Sequence, residues 1–94
     1  MIKGLREMER ELQDAVFVDL GRANNVTTFW ELLTLQGAAN HDLKHLKEYM
    51  QDISEHTELL LAPATTTIRY EPLGVCGVYS AWNYPVLLAL KPII

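Results

Sequence analysis

One cysteine in 94 residues, Cys76, leaves nothing for an intrachain disulfide and too few thiolates for a cysteine zinc cage. A disulfide-stapled secreted scaffold is thereby excluded. Four prolines and five glycines are too few for a collagen-like or low-complexity chain, and an apolar content of 49% argues against disorder. Positive charge is scarce: eight Lys and Arg face twelve Asp and Glu, giving a net charge of −4. Such a surface has no electrostatic footprint for a phosphate backbone, so no nucleic acid partner is expected. The opening stretch Met1-Ile-Lys-Gly-Leu-Arg-Glu-Met-Glu-Arg lacks the apolar region of a secretory leader, and Glu7, Glu9 and Glu11 argue against a transit peptide. Cytoplasm is the expected compartment. Residues 73–94 carry Lys91 as their one charge, but Gly74, Gly77, Ser80, Asn83 and Pro85 interrupt the run, so no membrane span is expected.

What is present falls into two regimes within one small domain of 10.7 kDa. Charge crowds residues 1–58; beyond them only Arg69, Glu71 and Lys91 are charged. The front reads as two amphipathic helices. Over residues 2–20, Leu5, Met8, Leu12, Ala15 or Val16, and Leu20 recur at helical spacing, with Lys3–Glu7 on the outer face and Gly21 as a stop. A second helix spans 26–51, capped by Asn25 or Thr27, with Glu31 in its early turns. Its apolar face is Trp30, Leu33, Ala39, Leu43, Leu46 and Met50. Residues 52–64 lose the period and read as a loop. Thr65–Tyr70 alternates β-branched residues and reads as a strand.

The back end is different. Residues 74–80 read as a strand, apolar on both faces from Val75 to Tyr79 as in the interior of a parallel sheet, and Pro85 suits the first turn of a helix running over 85–94. A strand buried on both faces needs neighbours, and this chain offers at most one other strand. The expected fold class is therefore α/β, read as the opening of a larger protein cut off within its first βα unit.

Glu71-Pro72-Leu73-Gly74-Val75, followed by Ser80-Ala81-Trp82-Asn83-Tyr84-Pro85, resembles the aldehyde dehydrogenase superfamily. The Tyr after the Asn, and the front end Leu5-Arg-Glu-Met-Glu-Arg-Glu-Leu, are most similar to its class 3 branch, which acts on fatty and aromatic aldehydes. The resemblance implies an incomplete Rossmann-like cofactor-binding domain, an NAD or NADP cofactor, an aldehyde substrate, and self-association of the complete protein. It implies that the side-chain amide of Asn83 donates to the aldehyde oxygen, where a neutral preorganised donor offsets developing oxyanion charge. It places the nucleotide along Ser80, Ala81 and Trp82, and the aldehyde tunnel against Tyr84 and Leu88. Ser80 stands where most members have Ile or Gly.

The family's nucleophilic Cys, general-base Glu, Gly-rich cofactor loop and ribose-binding Lys belong to segments this chain does not contain, so the 94 residues alone are expected to be inactive. Cys76 reads as a buried, inert thiol, and Glu71 matches a strand-edge Glu and not the base. No metal site is expected. His41 and His45 are four apart but lack a third ligand. An alternative from another class is a non-catalytic helical interaction or oligomerisation module derived from the same family. Against it, Val86-Leu-Leu-Ala-Leu90 and Ile93-Ile94 leave no polar outer face on the last helix.

Overall fold

The structure is a computed structural model that describes residues 1–94. Two compact units appear. One comprises Met1–Leu43 with Gly77–Ile94, the other Lys44–Cys76.

In the first unit the expected opening helix is divided. Helix α1 spans Ile2–Glu7 and α2 spans Glu9–Leu20. The break is local, because Met8 takes φ −102° and ψ 13° while its amide still donates to Gly4 O and its carbonyl still accepts from Leu12. Gly21 ends α2 in the left-handed region at φ 66°, where a side chain would be strained, and its N–H donates to Phe17 O.

The second helical stretch starts at α3, Asn24–Thr27. It widens into a π-helical segment, Thr28–Leu33, and continues as α4, Thr34–Tyr49. Neither Asn25 nor Thr27 is its cap: the N-cap position is Ala23, with no side-chain cap bond. Within the wide turn the Thr34 hydroxyl donates to Phe29 O at 3.3 Å.

A π turn holds more residues per revolution than an α turn, so the inward face moves along the chain. The expected face of Trp30 and Leu33 is replaced by Glu31, Leu32 and Leu35, which are buried, while Trp30 and Leu33 are 55% and 51% exposed. Trp30 meets only Phe29 edge-on among the aromatic rings, at 5.3 Å between centroids. The core is Leu5, Val16, Leu32, Leu35 and Val86, with Leu12, Leu20, Leu87 and Leu90 packed on it. Each fully buried leucine contributes about 1.5–3 kcal/mol over an exposed one. Ala39 is also buried; Met8, Leu43, Leu46 and Met50 are not.

Thr27 is fully buried and its hydroxyl has no hydrogen-bond partner. An unpaired buried hydroxyl costs about 1–3 kcal/mol, so Thr27→Val, which keeps the shape, is expected to raise stability by about 1 kcal/mol. Chemical denaturation measures this; a loss of stability would mean the hydroxyl is satisfied.

The second unit contains one strand where a loop was expected, and a second, shorter than expected, within residues 65–70. Strand β1, Ile53–Glu55, pairs antiparallel with β2, Thr66–Ile68, in the register Ile53↔Ile68, Ser54↔Thr67, Glu55↔Thr66. A short 3₁₀ turn, Leu59–Leu61, lies between them. The Thr57 hydroxyl donates to Thr66 Oγ1 at 3.0 Å and accepts the Thr66 amide at 2.8 Å, supplying a contact that β1's own residues do not advertise.

Arg69 clamps Asp52 with two bonds, Nε to Oδ1 at 2.8 Å and Nη2 to Oδ2 at 2.5 Å. The hydrogen bond from Arg69 holds the Asp52 carboxyl below the usual aspartate range. A depressed carboxyl pKa contributes stability above its unfolded value and loses it as pH falls through the folded value. The β1–β2 pair should thus be fully supported at neutral pH and loosen only on acidification below the ordinary aspartate range. The Asp52 side-chain carbonyl resonance followed against pH measures it; a midpoint at or above the ordinary aspartate value would contradict the clamp.

Residues 71–83 form no ladder. The expected strand over 74–80 has no partner strand here: the sheet is β1–β2 alone. The physical reason is that a two-sided apolar strand needs flanking strands this chain does not supply. Cys76, expected to be buried there, is exposed. The mixture of helices with a small sheet is consistent with α/β, and the parallel Rossmann-like sheet is not formed by these residues. Helix α5 spans Pro85–Leu90 with Pro85 at its start, and a 3₁₀ turn follows over Lys91–Ile93. No helix is long and apolar enough to cross a membrane.

Candidate functional site

Asn83 lies where the extended segment enters α5. The residue before the helix is Tyr84, at φ −137° and ψ 69°, and neither it nor Asn83 caps the helix through its side chain. The cap comes from elsewhere in the chain. Glu31 is fully buried, and its Oε2 accepts the Val86 amide at 2.8 Å and the Leu87 amide at 3.0 Å. Pro85 carries no N–H, so one carboxylate oxygen satisfies both free amides of the first turn of α5, those of Val86 and Leu87.

The other oxygen of Glu31 accepts from Arg22 Nη1 at 2.5 Å. The second terminal nitrogen of Arg22 donates to the Asn83 carbonyl, and its guanidinium sits 4.7 Å from the centroid of the Tyr84 ring. Arg22 is placed by Gly21, which turns the chain at the end of α2; Glu31 is placed by the π turn. A buried charge is tolerated only when paired and hydrogen-bonded, and both conditions hold here.

The side-chain amide of Asn83 enters none of the hydrogen bonds in this arrangement, and the residue is exposed. A carboxamide so placed offers a neutral donor whose backbone is fixed while its donor groups stay open. Ser80, Ala81 and Trp82 precede it as exposed residues outside any strand or helix. Tyr84, just before α5, and Leu88 within it are half-buried. The structure therefore brings Asn83 and Tyr84 together with Arg22, and holds Leu88 one turn further along α5.

Arg22 and Glu31 escaped identification as site residues from sequence. The available signal was a carboxylate set inside the apolar run Phe29-Trp30-Glu31-Leu32-Leu33, with a cation immediately after a helix-stopping glycine. No group of three His, Cys, Asp and Glu side chains is close enough to hold a metal ion. His45 instead bonds Glu48 at 2.8 Å. In the second unit a cleft of about 490 Å³ is lined by Glu48, Tyr49, Ile53 and Tyr70, none of which belongs to the motif around Asn83.

The aldehyde dehydrogenase family profile matches residues 2–94. Aldehyde dehydrogenase family 3 member H1 of Arabidopsis thaliana is 40% identical over 86 residues, 92% of this chain and 18% of that protein. An aldehyde dehydrogenase of Craterostigma plantagineum is 34% identical over 94 residues, 100% of this chain and 20% of its own length. A coniferyl aldehyde dehydrogenase from a Pseudomonas strain is 30% identical over 90 residues, 95% of this chain and 18% of its own. The chain thus spans about one fifth of the length of the curated relatives it matches.

Proposed function

This chain belongs to the aldehyde dehydrogenase family, with class 3 members among its relatives, and from that premise we infer that it is the N-terminal part of the cofactor-binding domain of an enzyme oxidising an aldehyde to a carboxylate with NAD or NADP. The observation that carries this reading is the placement of Asn83. Its backbone is held by Arg22 at the entrance to α5, and its amide is open to a substrate oxygen.

In the proposed reaction Asn83 donates a hydrogen bond to the carbonyl oxygen as negative charge gathers there. One such donor accounts for about 10²–10³ in rate. Tyr84 and Leu88 wall the aldehyde's path. The exposed backbone of Ser80–Trp82 suits an edge contact with the nucleotide, whose nicotinamide, when bound, takes up the hydride. The chain has no Gly-rich phosphate loop, and Arg22 is committed to Glu31 and Asn83. These residues fit a flank of the nucleotide and not a complete site. The nucleophile and the base come from further polypeptide, and self-association of the complete protein is part of the same proposal.

The exposed apolar side chains of Leu73, Val75, Tyr79 and Trp82 support this reading over a stand-alone module. So many apolar groups in one unpaired stretch need further chain to cover them. A hybrid in which residues 1–94 replace the matched segment of a class 3 relative tests the assignment. It is expected to reduce NAD or NADP in the presence of an aldehyde, whereas the 94-residue chain alone is expected to do neither that nor bind nucleotide more tightly than about millimolar. A folded but inactive hybrid, or a low-micromolar complex with the short chain, would contradict it.

A further inference from the structure

We infer that Arg22 and Glu31 are positioning residues for Asn83, a two-residue clamp that sets the backbone from which its amide reaches the carbonyl oxygen. The inference rests on the role proposed above for Asn83. Three observations carry it. Glu31 is fully buried although its neighbours Trp30 and Leu33 are half exposed, so the π turn presents a carboxylate, and not an apolar side chain, to the start of α5. Both Glu31 oxygens are used, one by the Val86 and Leu87 amides and one by Arg22. Arg22 then spends its second terminal nitrogen on the carbonyl of Asn83, and its guanidinium lies over the ring of Tyr84.

Capping alone needs only the carboxylate. The guanidinium's contact with Asn83 adds nothing to the cap, and it fixes the peptide that carries the donor. The fork geometry matters. A lysine in place of Arg22 can neutralise Glu31 as a point charge, but it lacks the fork that reaches the carboxylate and the Asn83 carbonyl together. A displacement of the donor of about 1 Å is enough to lose about a hundredfold in rate.

The test is a double-substitution cycle in the hybrid enzyme. Arg22→Lys is expected to lower kcat about ten- to hundredfold, with nucleotide KM nearly unchanged. In an Asn83→Ala background the same substitution is expected to have little further effect, because the group it positions is gone. Glu31→Gln, which keeps an acceptor oxygen for the Val86 and Leu87 amides, is expected to show the same pattern.

An undiminished effect of Arg22→Lys in the Asn83→Ala background would overturn the clamp as a positioning device and leave the role of Asn83 standing. Loss of function on neither Asn83→Ala nor Arg22→Lys would overturn the functional reading itself, and the clamp's role with it. A second readout needs no activity. In the 94-residue chain, Arg22→Lys is expected to move the Asn83 carbonyl carbon resonance while that of Leu35 stays; an unmoved Asn83 resonance would overturn the inference.

Discussion

Asn83→Ala in the hybrid enzyme is expected to lower kcat for aldehyde oxidation by about 10²–10³, the usual effect of deleting one oxyanion donor. Nucleotide KM should change little, because the nucleotide contacts proposed for this segment are the backbone groups of Ser80–Trp82. The split matters more than the size. If Asn83 served only to shape the entrance to α5, its loss would disturb nucleotide and aldehyde alike, and kcat and KM would fail together. The structure argues against a capping role in particular, since the amides of Val86 and Leu87 are taken by Glu31 and not by Asn83. Steady-state kinetics with aldehyde and nucleotide varied in turn separates the two cases. Comparable losses in kcat and in nucleotide affinity would remove Asn83 from the reaction.

Glu31→Ala is expected to cost about 3–5 kcal/mol of stability, the range for breaking a buried charge pair by deleting one partner. Truncation leaves Arg22, whose side chain is only 18% exposed, without its counter-charge, and it orphans two helix amides at once. Native proteins are stable by only about 5–15 kcal/mol, so the loss is a large share of such a total. A surface pair supplies the control. Lys3 and Glu7 are 3.6 Å apart with side chains 87% and 62% exposed, and Glu7→Ala is expected to change stability by less than about 1 kcal/mol. Denaturant titration of both variants decides the matter. Equal, small effects would mean that the Glu31 carboxylate is reached by water and is not the anchor of α5.

The motif was legible in the sequence because it is local. Trp82-Asn83-Tyr84-Pro85 sits in consecutive positions, and Pro85 marks the helix start without reference to anything distant. Gly21 was legible for the same reason: only its neighbours decide that a left-handed residue ends α2. The support of Asn83 was not legible. Arg22 reaches across 61 positions to Asn83, and Glu31 across 55 to Val86. Helical periodicity also assumes 3.6 residues per turn. The π turn at Thr28–Leu33 breaks that assumption, which is why Trp30 and Leu33 were expected inside where Glu31, Leu32 and Leu35 are found. Strand β1 was missed because Ile53-Ser54-Glu55 has no alternation long enough to register; its pairing depends on β2 and on Asp52–Arg69. The strand expected over residues 74–80 failed for the opposite reason. Its composition suits a buried strand, but pairing is a property of neighbours, and β1 and β2 pair only with each other.

The most direct measurement of the central claim is made on the native product, captured from its source with an antibody against residues 1–60, weighed intact and assayed with aldehyde and nucleotide. A chain of about the length of the curated relatives, oxidising aldehydes with NAD or NADP, is the expected result. A captured species of 10.7 kDa, free of larger chains and of aldehyde-dependent nucleotide reduction, would contradict it.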